Sequence, residues 1–142
     1  RFIDGYQSRN ERLADLMRRF GICEEKSSGI DRVIESAELM QLPAPEFLTG
    51  HKRTTVVIYG PRAFREMNGS DRVRACYQHC VLQYVLRKQM TNQSLRERFG
   101  LSEGSSNTVS QIITATMEQR LVKNDPNAPD SRRYARYIPI WA

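Results

Sequence analysis

Between Asn10 and Gly21 the apolar residues Leu13, Leu16, Met17 and Phe20 recur at the spacing that places one stripe on a helix. Asn10 is suited to cap its start and Gly21 to end it. After Ser28-Gly29 a second such pattern, Ile30, Val33, Ile34 and Ala37, predicts another helix. Leu42-Pro43-Ala44-Pro45 terminates it, since neither proline can continue a helix. The β-branched run Thr54 to Tyr59, TTVVIY, predicts a strand. Two helices and one strand do not complete an α/β layer, because a lone strand needs partners. We therefore expect this first unit to be a remnant and the chain to be a piece of a longer protein.

The second half has a different pattern. Asp71 to Lys88 predicts a long amphipathic helix with Val73, Cys76, Tyr77, Cys80, Val81, Tyr84 and Val85 on one side. Thr91 can cap a short helix ending near Phe99, with Met90 and Leu95 as a hydrophobic staple and Gly100 as its stop. A further helix starts at Ser105 or Ser106 and carries Val109, Ile112, Ile113 and Met117 on its core face. Leu121-Val122-Lys123 reads as a strand, Asn124 to Ser131 as a turn cluster, and Arg132 to Trp141 as a second strand. Three helices followed by a two-stranded ribbon is the order of a winged helix.

The fold class expected is therefore α+β: a C-terminal winged helix-turn-helix, three helices plus a β-hairpin wing, preceded by a partial α/β unit. The expected divisions are 1–62 for the first unit, 63–69 for a linker and 70–142 for the winged helix.

The back of the helix after Ser106 carries Asn107, Ser110, Gln111 and Thr114. Short hydroxyl and amide side chains can approach base edges and phosphates without the desolvation cost of a carboxylate. Ser105, Ser106 and Thr108 at the helix start join them as candidate DNA contacts, and Arg132, Arg133 and Arg136 are placed beside the phosphate backbone. Any surface helix is polar outside, so this face alone is ambiguous. Charge supports the division: residues 1–69 hold eleven Lys+Arg against ten Asp+Glu, residues 70–142 eleven against six. A positive surplus on one small unit is the footprint of a polyanion binder.

No apolar run approaches transmembrane length and no signal-peptide pattern opens the chain, which suggests a cytoplasmic protein without a membrane partner. The three cysteines, Cys23, Cys76 and Cys80, make no disulfide framework. Cys76, His79 and Cys80 lie within five residues, but both cysteines fall on the apolar helix face and no second ligand pair is in view, which favours small buried hydrophobes over a metal site. No acid, base or nucleophile set suggests catalysis, and no Walker-type Gly-x-x-x-x-Gly-Lys loop is present.

Ser8 to Ile34, SRNERLADLMRRFGICEEKSSGIDRVI, resembles the C-terminal portion of an ATP-binding domain related to histidine-kinase ATPases. This domain occurs in bacterial transcriptional regulators and RecG-helicase-related proteins, usually with a Schlafen AlbA domain at the N-terminus. Arg9-Asn10 corresponds to the family's Arg-Asn pair, and Ser27-Ser28-Gly29-Ile30 to its Gly-Ser-Gly-Ile turn, with serine replacing the first glycine. Ser131 to Trp141 is similar to the closing strand of the winged helix that ends such proteins, so the resemblance covers almost the whole chain.

The resemblance implies a nucleotide lid at Arg9, Asn10, Ser27, Ser28 and Gly29. It implies no cofactor held by this fragment alone, with ATP and Mg belonging to the full-length parent. Gly100-Leu101-Ser102 and Thr108-Val109-Ser110 also match tripeptides of bacterial repressors, with a longer than usual connection, EGSSN, between them. The function expected is a DNA-binding winged helix of an ATP-binding transcriptional regulator, non-catalytic in this fragment. The alternatives are a protein-interaction or dimerisation module, or an accessory domain of a helicase-like protein. Expected partners are double-stranded DNA, the upstream part of the same chain and a second copy.

Overall fold

In the computed structural model, residues 8–23, 29–129, 131 and 134–142 are described. Helix α1, Glu11–Arg19, begins where the Asn10 carboxamide accepts the Leu13 N–H at 3.1 Å. Its last turn carries Arg18 and Arg19, which pair with Asp15 at 3.3 and 3.0 Å. Gly21 then takes φ 68°, a left-handed conformation that costs glycine little. The apolar stripe forms as expected, yet α1 buries none of its residues: Leu13 and Leu16 are half exposed and Phe20 is 72% exposed. Periodicity marks a face that favours a partner; it does not supply one.

Helix α2, Gly29–Leu39, buries Ile34 and Ala37. Beyond it the chain turns through Gln41, and Pro43, Ala44 and Pro45 are buried. Two strands follow where the sequence suggested a lone one. Strand β1, Glu46–Thr49, pairs antiparallel with β2, Thr54–Val57, in the register Glu46↔Val57 to Thr49↔Thr54. Gly50 N–H donates to the Arg53 carbonyl at 2.8 Å and closes the turn. The lone-strand reading is corrected on this point. Four residues directly after a proline-rich turn carry too little alternation to announce a strand, and β1 exists because β2 can pair with it. β2 itself ends at Val57, two residues before the expected Tyr59.

A 3-10 turn at Phe64–Glu66 leads to α3, Gly69–Val85, whose cap is the Asn68 side chain accepting the Asp71 N–H at 2.8 Å. α3 ends three residues short of the expected Lys88, and Arg87 at φ 57° turns the chain away. Helix α4, Asn92–Arg98, opens with a reciprocal box: Thr91 Oγ1 accepts from Ser94 N–H while Ser94 Oγ accepts from Thr91 N–H. Met90 and Leu95 are both fully buried, and Gly100 at φ 63° stops the helix.

The EGSSN connection forms a 3-10 turn at Glu103–Ser105 that runs directly into α5, Ser106–Glu118, without a side-chain cap from Ser105. Strands β3, Val122–Asn124, and β4, Tyr137–Pro139, pair antiparallel, and Met90 bridges to Tyr137 on the other edge of β4. Among the described residues the second strand runs over Tyr137–Pro139, within the expected Arg132 to Trp141, of which Arg132 and Arg133 lie outside the described residues.

Among the described residues the architecture is thus α+β, with five α-helices and two small antiparallel sheets. Cys76 and Cys80 of α3, Leu95 and Phe99 of α4, Val109, Ile112 and Ile113 of α5, and Val122 of β3 form one core. Ala44 and Met67 join it, and the Phe64 ring meets Phe99 edge-on at 5.0 Å. The segment 63–69, expected as a linker, therefore contributes two side chains to this core.

Burial pushes the Cys76 thiol up to about 12, with a Thr116 hydrogen bond opposing, and it raises Cys80 as well. Tyr137 is likewise raised, chiefly by burial.

Leu95→Ala should lower unfolding free energy by about 3 kcal/mol, the cost of a cavity in a closed core. Leu16→Ala on the open face of α1 should change it by no more than about 0.5 kcal/mol, and urea denaturation separates the two. Because the folded Cys76 pKa lies above the unfolded 9.0, its contribution is intact below pH 9.0 and is lost as pH rises toward about 12. Denaturation midpoints measured from pH 8 upward should fall, and Cys76→Ala should flatten that slope.

Candidate nucleic-acid interface

With Val109, Ile112 and Ile113 of α5 turned into the core, helical geometry sends Asn107, Ser110, Gln111 and Thr114 to the opposite side. All four are exposed, as are Ser106 and Thr108, while Ser105 is half-buried in the preceding turn. No carboxylate lies on α5 before Glu118 at its end.

Asn92 at the start of α4 shapes this ridge. Its Nδ2 donates to the Ser106 carbonyl at 2.9 Å and to Ser110 Oγ at 3.0 Å. Its Oδ1 accepts from Arg96 Nε at 3.2 Å and from Ser106 Oγ at 3.3 Å. Ser106 and Ser110 are thus engaged with α4, while the side chains of Asn107, Thr108, Gln111 and Thr114 have no such tie among the described residues. Arg96 stands one turn along from Asn92 and brings a cation toward the start of α5. Neither Asn92 nor Arg96 was a sequence candidate. The only available signal was their i, i+4 spacing on a helix read for its cap and its apolar side.

Of the three arginines assigned to phosphates, Arg132 and Arg133 lie outside the described residues. Arg136 is half-buried, and its carbonyl accepts the Asp125 N–H at 2.9 Å, which ties it to the base of the β3–β4 connection.

α4 is also fastened to the first half of the chain. His79 of α3 stands between Glu38 and Ser94, with Nδ1 2.8 Å from Glu38 Oε2 and Nε2 3.0 Å from Ser94 Oγ. Both ring nitrogens are engaged, so the Cys76–His79–Cys80 cluster does not converge. Arg98 Nε lies 3.4 Å from Glu38 Oε1, outside hydrogen-bond geometry, while its Nη2 donates to the Leu42 carbonyl at 2.6 Å. Burial pulls the Arg98 guanidinium below its usual range, and the Glu38 carboxylate opposes that. Arg74 pairs with Glu46 at 2.6 Å and Asp71 at 2.7 Å and donates to the Ala44 carbonyl at 3.0 Å. Gln78 donates to the Pro45 carbonyl at 2.7 Å.

Of the nucleotide-lid candidates, Arg9, Asn10 and Gly29 are among the described residues. The Asn10 carboxamide caps its own helix and Arg9 is exposed. Gly29 opens α2, and a Cβ there would meet nothing within 4 Å. Ser27 and Ser28 lie outside the described residues.

Residues 3–58 match a family model described as "Putative ATP-dependent DNA helicase recG C-terminal". The similarity to that family is confined to this stretch. It takes in α1, α2 and the β1–β2 hairpin and covers less than half of the 142 residues. The helices α3, α4 and α5 lie wholly outside it. No curated protein and no solved structure matches the chain. No helix among the described residues is long and apolar enough to cross a membrane.

Glu38→Ala would leave Arg98 and His79 buried without their carboxylate. It should destabilise the fold by about 3 kcal/mol, in line with losing one partner of a buried pair. Thermal unfolding of the variant beside Glu35→Ala, an exposed position on the same helix, checks this.

Proposed function

We propose that residues 70–142 form a winged helix that binds double-stranded DNA, within a cytoplasmic, ATP-binding transcriptional regulator related to RecG-type helicases. α5 is the helix that enters the major groove and the β3–β4 hairpin is the wing. The observation that carries this reading is the α5 ridge: Asn107, Thr108, Gln111 and Thr114 are exposed, uncharged and without a side-chain tie among the described residues, on a helix whose reverse face is fixed in the core. Ser106 and Ser110, held by Asn92, set its height, and Arg96 and Arg136 supply positive charge. The Met90 bridge to β4 adds support, because it joins the segment before α4 to the hairpin. Residues 70–142 act by binding and carry out no chemistry of their own.

A second reading, a protein-interaction module, is favoured by one observation. Leu13, Leu16, Phe20 and Ile22 lie exposed along α1 and its end, and the upstream part of the parent chain or a second copy would cover them. Light scattering separates the two: dimers that do not bind duplex support this reading over the first.

Titration of labelled duplex should show binding that weakens at least roughly tenfold between 50 and 200 mM salt, as phosphate contacts release counterions. Gln111→Ala combined with Asn107→Ala should weaken it by about 1–3 kcal/mol for each lost base contact and leave the melting temperature unchanged. Failure to bind duplex at the lower salt would refute the DNA-binding proposal.

A further inference from the structure

An open cavity of about 780 Å³ lies between the C-terminal end of α3 and the β3–β4 hairpin. Its volume is in the range of small-molecule sites. None of the α5 ridge residues lines it. One wall is aromatic: Tyr84 and Trp141 meet edge to face at 5.5 Å and remain 40% and 56% exposed. The Trp141 ring is oriented in advance, because its Nε1–H donates to the Tyr77 hydroxyl at 3.3 Å.

A second wall is cationic. Arg87 and Lys88 are exposed and line the cavity just past the end of α3. Arg87 has the left-handed conformation that ends the helix, and neither residue is in an ion pair among the described residues. The third wall is the base of the hairpin. There the Asp125 carboxylate accepts from Gln89 Nε2 at 2.7 Å and from the Asn127 N–H at 2.9 Å. That carboxylate is buried and held by two neutral donors, while the two cations are exposed and outnumber its single charge at the open side.

We propose that this cavity binds a small anionic ligand that carries a flat ring, of the nucleoside monophosphate class. An anion alone would leave the aromatic wall unused, and an apolar ligand would strip water from two cations without replacing it. A phosphate between Arg87 and Lys88 forms charge-assisted hydrogen bonds, and a heterocycle reaches the exposed ring surface of Trp141 or Tyr84 for stacking. Because Gln89 and Asp125 tie the hairpin to the end of α3 at the same place, such a ligand bears on the hairpin's position.

Trp141 is the only tryptophan of the chain, so its emission reports directly on this cavity. AMP titrated into the full chain should change that emission saturably, and adenosine and inorganic phosphate, tested separately, should each bind at least roughly tenfold more weakly. Arg87→Gln with Lys88→Gln should weaken AMP by a similar factor, with unchanged circular dichroism showing that the variant is folded. The proposal is overturned if AMP produces no saturable change, if adenosine binds as well as AMP, or if the folded double variant responds like the parent protein.

Discussion

The fold depends on the burial of one side of α5. Val109, Ile112 and Ile113 are 0%, 7% and 2% exposed, packed with Cys76 and Cys80 of α3 and with Leu95 of α4. Fully burying each aliphatic side chain is worth about 1.5–3 kcal/mol, far more than any single surface contact in this chain. That burial fixes the rotation of α5 about its axis. The polar ridge faces outward as a consequence, without any interaction of its own to hold it there. Thr116, fully buried on the same side, satisfies its hydroxyl by donating to the Ile112 carbonyl at 2.7 Å, so the helix carries no unpaired polar group inward at that point.

Around this apolar centre a polar seam joins residues 38–46 to α3 and α4. Glu38, Gln41, Leu42, Ala44, Pro45 and Glu46 all meet side chains or carbonyls of those helices. The contacts to buried groups are demanding in geometry, since an unpartnered charge or amide in the interior is costly. Such a seam selects one relative placement of α2 and α4 more than it adds to stability. It also means that α4, whose Asn92 holds the start of α5, is held on its other side by the segment with the ATPase-like match. Any displacement of α2 therefore bears on the helix that positions the ridge.

The parts legible in advance were those set by short-range rules. Asn10 and Thr91 cap the helices expected of them, Gly21 and Gly100 end those helices in left-handed conformations, and Val109, Ile112 and Ile113 are buried together. The parts that were not legible depend on residues far apart in the chain. Nothing in EFLT announces β1 until TTVV lies beside it, and nothing in the amphipathic pattern of α1 distinguishes a buried stripe from the exposed one observed. On α5 the direction of the ridge was readable from periodicity. That Ser106 and Ser110 are tied to Asn92 was not, because the tie spans 14 and 18 residues and requires α4 to lie across the start of α5.

By itself the amino-acid sequence determined where α1 and α4 begin and end, which helix faces are apolar, and that the positive surplus falls in residues 70–142. These are properties of neighbouring residues and of composition. Only the tertiary structure decided that residues 38–46 and 64–67 share a core and a polar seam with the C-terminal helices. Only it brought Asn92 and Arg96 to the ridge, and Arg87 and Lys88 into one cavity with Trp141. The physical reason is that hydrogen bonds and packing act over a few ångströms in space, and chain separation says nothing about that distance until the helices have docked.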